Sequence, residues 1–200
     1  MDQSGGHPEW HIKGDALELI NGNCSFMTTD GVQHTVNGRW DMLIAFPPCT
    51  YLSNAGACRL YPKKGQLDIA RYEKGLEAKE FFLRFLNADC PRIAVENPVS
   101  SKVFEMPPHS QEIQPYQFDP YRIHPFTKKT RLWLRGDIPL LTPTSPDAKP
   151  IGPYCPAGTG RKDRSKYGSA KRGEDAKNRA KTFPGIAKAM ATQWSKMEDK

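Results

Sequence analysis

The chain has 200 residues and a formal net charge of +7, from 29 Lys/Arg against 22 Asp/Glu, a length that suits one domain with a sizeable core. Hydrophobic residues at 38% argue against a disordered chain. With no apolar run of about 18 residues and no signal-peptide pattern, a soluble cytoplasmic protein is expected.

The five cysteines (24, 49, 58, 90 and 155) make an odd set without a CxxC pair, which suggests neither a disulfide framework nor a zinc knuckle. Residues 1–9 read as a polar lead-in. His7 and His11 are four apart without a helix around them, so no metal site is expected. Gly14-Asp15 reads as a turn into the apolar-leaning Ala16–Ile20. Asn-Gly, Asp-Gly and Asn-Gly pairs between Asn21 and Gly38 predict a hairpin or irregular loop.

Asp41–Phe46 is a short apolar run that suits a strand buried on both faces of a parallel sheet. Pro47 and Pro48 stop it, because neither can donate a ladder hydrogen bond and each fixes φ. Cys49 then falls just beyond the carboxyl end of a strand, where open α/β sheets place their chemistry. The plainer alternative is an inert buried thiol.

Gln66–Ala88 predicts an amphipathic helix, with Leu67, Ala70, Leu76, Phe81, Phe82, Phe85 and Leu86 at roughly helical spacing. Ile93–Val95 reads as a second strand, running into Glu96, Asn97 and Pro98. Strand, helix and strand at this length form a right-handed βαβ unit, so both strands end on one sheet edge. Cys49 and Glu96 are then expected to face one pocket.

Residues 99–128 are rich in proline and aromatics and suggest an ordered surface loop, and Lys128–Leu134 is a basic lead into an apolar strand. Residues 142–181 are Pro-rich and then basic. From Arg161 to Lys181 there are nine Lys/Arg and three Asp/Glu, which accounts for +6 of the chain's +7. Such a segment buries little apolar surface, is expected to be mobile, and favours phosphate backbones. Pro184 and Gly185 suit a helix start, with Ile186, Ala189, Met190 and Trp194 along one face.

Pro47-Pro48-Cys49 followed by Glu96-Asn97-Pro98, with the closing Gly185–Trp194 pattern, resembles the cytosine-C5 DNA methyltransferases, nearest a compact, phage-borne branch. The resemblance runs from about Trp10 to Trp194. It implies an α/β, Rossmann-like S-adenosylmethionine methyltransferase fold with a mostly parallel sheet. That fold would be N-terminally truncated, since no Gly loop or acidic strand end stands near Met1, and would lack a full target-recognition domain. The implied division is a core over 1–141, a stub of the recognition region over 142–181, and a helix over 182–200 packing back on the core. A missing first strand would leave edges that a homodimer could cover.

By the same resemblance, Cys49 is the nucleophile, Glu96 engages N3 and the exocyclic amine, and Arg131 holds the base or Glu96. Asp15, Pro47 and Gly185 would face the S-adenosylmethionine cofactor. Pro48, Tyr51, Asn54, Asn97 and Lys129 would face the substrate, with Lys129 standing where the family often has arginine. DNA is the implied substrate, its cytosine flipped from the duplex; RNA and a free cytosine nucleotide are the other candidates. The host cytoplasm is the implied location if the protein is phage-encoded. The alternative reading is a nucleotide- or nucleic-acid-binding relative that has lost the cofactor site.

Overall fold

The computed structural model of the chain describes residues 6–57, 59–154 and 182–195. The basic 161–181 stretch, and with it most of the recognition stub, lies outside the described residues.

The chain opens with two short 3-10 turns, Pro8–Trp10 and Ala16–Glu18. The Asn-Gly pairs then bracket an antiparallel hairpin of β1 (Cys24–Met27) and β2 (Gln33–Val36), as their turn chemistry predicts. The apolar run before the two prolines forms β3 (Leu43–Ala45). A single helical turn, α1 (Asn54–Ala57), follows the Cys49 loop.

The long helix α2 spans Ile69–Leu86. Its start is fixed by Asp68, whose carboxylate accepts from the Arg71 amide at 3.0 Å and so satisfies one of the helix's orphan donors. β4 (Ile93–Pro98) then pairs parallel with β3, Leu43 beside Ile93 and Ala45 beside Val95. This β3-α2-β4 segment is the expected strand–helix–strand unit.

Beyond β4 the architecture departs from expectation. β5 (Gln111–Ile113) and β7 (Thr130–Arg135) complete a four-stranded sheet of order β3-β4-β7-β5, in which β7 is antiparallel to both neighbours. Two residue pairs, β6 (Phe126–Thr127) and β8 (Gly152–Pro153), form a small separate ladder. The sheet is therefore mixed, and the described residues form no mostly parallel Rossmann-like sheet. The cause lies in the 99–128 stretch. A parallel partner for β4 needs a crossover, usually helical, whereas this proline-rich segment folds into 3-10 turns and β5 and returns β7 antiparallel. β3 is also an edge strand, with Ile44 38% exposed, so it is not buried on both faces as its composition suggested.

Alternation along β4 and β7 splits the core into two layers. Ile93, Val95 and Trp133 pack with Phe82 and Phe85 of α2 and with Phe104. Ala94 and Leu132 point to the other face, where Ile113, Phe118 and Leu141 meet Ile186, Ala189, Met190 and Trp194 of the C-terminal helix α3 (Pro184–Trp194). The two buried indoles are satisfied by backbone carbonyls, Trp133 Nε1 donating to Pro107 at 2.8 Å and Trp194 Nε1 to Pro139 at 3.0 Å.

Gly75 is buried in the middle of α2, where a Cβ would lie 2.1 Å from the ring of Phe104, itself 1% exposed. Gly75→Ala would gain about 1 kcal/mol of helix propensity if space allowed. Here the clash outweighs it, and urea denaturation is expected to show a net loss of roughly 1–3 kcal/mol.

Candidate active site

The Cys49 loop is laced to the chain that leaves β4. Backbone amides of Asn54 and Ser101 donate to the carbonyls of Val99 and Leu52 at 2.9 and 2.8 Å, and Ser53 and Ser100 form an antiparallel bridge. Within the loop, the Ser53 amide donates to the Cys49 carbonyl at 2.9 Å, and Ser53 then caps α1 by accepting from Gly56 and Ala57. Gly56 allows the loop to close, since a Cβ there would stand 2.2 Å from the Thr50 carbonyl oxygen. One level lower, fully buried Asn97 donates from Nδ2 to the Pro47 carbonyl at 3.4 Å. Parallel pairing thus brings the loop that carries half-buried Cys49 to the strand end that carries Glu96.

Glu96 is partly buried, and desolvation pushes its carboxyl pKa up to about 7. The charge opposing that shift is Lys128, whose ammonium also sits 5.3 Å from the Phe183 ring. Near neutral pH, Glu96 is therefore a carboxylic acid able to donate a proton as well as a carboxylate.

Arg131 is placed elsewhere. It lies opposite Asn97 in the β4–β7 register, whereas Glu96 lies opposite Leu132, so Arg131 and Glu96 leave the sheet on opposite faces. Glu112 of β5 accepts from Arg131 Nε at 3.4 Å and pairs with Lys129 Nζ at 2.7 Å. These two cations hold the Glu112 carboxyl below its ordinary pKa, against a raising effect of burial.

Tyr51 is flanked by two cations from α2, the Arg71 guanidinium 5.0 Å and the Lys74 ammonium 6.0 Å from its ring centre. Arg71 also donates to the carbonyls of Gly56 at 3.2 Å and Thr50 at 3.4 Å, fastening the loop to the helix. Asn54 is exposed at the start of α1.

Of the residues assigned to the cofactor, Pro47 lines one cavity together with Ala16, the neighbour of Asp15, and Gly185 packs against Phe118. Pro47 and Pro48 line an apolar cavity of about 470 Å³ beside β3, with Ile12, Trp40, Phe81 and Phe85. Asp15 is exposed, and its carboxylate accepts from the Leu17 amide at 2.9 Å. Gly185 lies against Phe118, where a Cβ would stand 1.9 Å from the carbonyl oxygen, so this glycine serves close packing of α3. S-adenosylmethionine carries an ammonium, a carboxylate and ribose hydroxyls. The cavity lining holds no charged side chain to receive them. The lining of this cavity does not fit this cofactor.

Lys128, Arg71 and Glu112 are the site neighbours that motif reading missed. Lys128 and Lys129 stood together as a basic pair, but which strand face each served depended on the β7 register. Among the described residues no cluster of His, Cys, Asp and Glu could hold a metal ion, and no helix is long and apolar enough to cross a membrane. Compared with known proteins, the chain matches no family model and no curated protein sequence.

The raised Glu96 pKa has a signed consequence for stability. Between about pH 4.5 and 7 the unfolded chain releases this proton while the folded chain keeps it, so stability is fullest below that window and is lost as pH rises through it. Urea denaturation at pH 5 and pH 8 is expected to show roughly 2–3 kcal/mol more loss in the native protein than in Glu96→Gln.

Proposed function

We propose that the chain is a cytosine-C5 methyltransferase-like protein whose described residues form the base-activating part of the site, acting on cytosine in DNA. The observation that carries the proposal is the lacing of the Cys49 loop to the end of β4, the strand end that also carries a carboxyl with a pKa of about 7.

C5 of cytosine is a weak nucleophile. In the proposed step the Cys49 thiolate adds to C6, the C5–C6 π pair moves to C4–C5, and the C4–N3 π pair moves onto N3, which takes the proton of Glu96. The products are a C6 thioether, an enamine nucleophilic at C5, and a Glu96 carboxylate beside Lys128. Return of the N3 proton and expulsion of the thiolate restore the base. Asn97 positions the loop through Pro47, and Arg71 holds it from α2. Methyl transfer in the family draws on S-adenosylmethionine, whose charged groups the lining of the β3 cavity does not match, and the activity assigned to the described residues stops at reversible addition.

The second reading, a nucleic-acid-binding relative without chemistry, is favoured by the apolar lining of the β3 cavity. Trapping separates the two. A duplex carrying 5-azacytosine, whose C6 is more electrophilic, is expected to give a protein–DNA adduct by intact mass, mapped to Cys49 and absent in Cys49→Ser. An unmodified protein, or a persistent adduct in Cys49→Ser, would contradict the assignment.

A further inference from the structure

Residues 59–74, between α1 and the first turns of α2, contain five Lys/Arg against two Asp/Glu. One of those acids, Asp68, is engaged as the α2 cap. The segment is built rather than loose. Its ends meet where the Asp68 amide donates to the Leu60 carbonyl at 2.8 Å, and the Gln66 amide closes a turn on the Lys63 carbonyl at 3.0 Å. Leu60, 1% exposed, anchors it in the core. Lys63 and Lys64 are therefore presented at the tip of a fixed turn, both exposed. Exposed Lys74 stands one helical turn beyond Arg71, and both cations flank Tyr51, two residues past Cys49.

Lys63, Lys64 and Lys74 form no ion pair among the described residues, in contrast to Lys129 and Arg131 on Glu112. Arg71 differs, because its guanidinium is turned inward onto two loop carbonyls. The arrangement divides the labour: Arg71 fixes the loop, and the three lysines leave their charge in solvent along its outer side.

We infer that this surface binds the phosphate backbone of the DNA strand whose cytosine enters the Cys49 site, with Lys63, Lys64 and Lys74 as the phosphate contacts. Charge complementarity carries the inference, and the choice of DNA as the polymer rests on the proposed function. Each lysine is a compact, mobile point charge, suited to a backbone and not to base edges. Binding here is therefore independent of sequence and steeply dependent on salt. Its effect is to hold a strand beside the loop.

The test compares a Lys63→Ala/Lys64→Ala/Lys74→Ala variant with an equally discharged control, Lys13→Ala/Arg84→Ala/Lys188→Ala, by fluorescence anisotropy on a short cytosine-containing duplex across a salt series. The patch variant is expected to bind roughly ten- to a hundredfold more weakly, with a salt slope shallower by about 2–3. The control is expected to stay within about threefold of the native protein. Equal binding by both variants, or equal losses in both, would overturn the patch while leaving the Cys49 chemistry standing. No binding by the native protein would overturn the patch and the DNA reading together. Loss in the patch variant alone, with no Cys49 adduct on 5-azacytosine DNA, would leave the patch and remove the proposed chemistry.

Discussion

The parallel pairing of β3 with β4 is the constraint on which the site depends. Two strands joined by one helix must end on the same edge, and everything of chemical interest lies just past those ends. The pairing does not stop at Ala45 and Val95. It continues as the Asn97 amide on Pro47 and as the backbone bridge between Ser53 and Ser100. The proline pair therefore leaves the sheet without leaving its neighbour. A buried amide is a costly tether: Asn97 Oδ1 meets no donor among the described residues, and such an orphan acceptor costs about 1–3 kcal/mol. That expense at the heart of a candidate site marks a position kept for placement of the loop rather than for packing.

Burial and charge then divide the two faces of β4. On the α2 face, Asn97 and Arg131 stand opposite one another, and Arg131 is neutralised by Glu112. On the α3 face, Glu96 shares its surroundings with Lys128 and with the aromatic group around Phe183, which packs edge-on to Tyr154 and His124. The pull of Lys128 is too little to offset desolvation, so the carboxyl keeps its proton near neutrality. Had Arg131 reached Glu96, its charge would favour the carboxylate. The separation of the two residues by strand alternation leaves Glu96 protonated near neutrality.

Much of this was legible in the residues, and the misreadings have physical causes. The Pro47-Pro48 stop, the amphipathic α2 and the Pro184 helix start depend on local rules, and each element formed within a few residues of its expected bounds. The sheet's hand of pairing depends on where the chain goes after Pro98, and nothing local in 99–128 announces an antiparallel return. Arg131 looked like a partner for Glu96 because the resemblance implied it. Only the register, Asn97 against Arg131, shows that they face apart. Gly185 looked like a cofactor glycine, whereas its lack of a side chain answers to the Phe118 carbonyl. The family's motifs specify a pocket's residue types, and the pairing of strands decides which of them share it.

The central claim is that Cys49 adds to C6 of cytosine with Glu96 as its acid, and release of tritium from C5-tritiated cytosine in DNA tests it most directly. Addition makes C5 exchangeable with water before the thiolate departs, so exchange requires no methyl donor. The account predicts solvent tritium with the native protein, and background release with Cys49→Ser and with Glu96→Ala. Release that survives in Cys49→Ser, or no release from a native protein that binds the DNA, would contradict it.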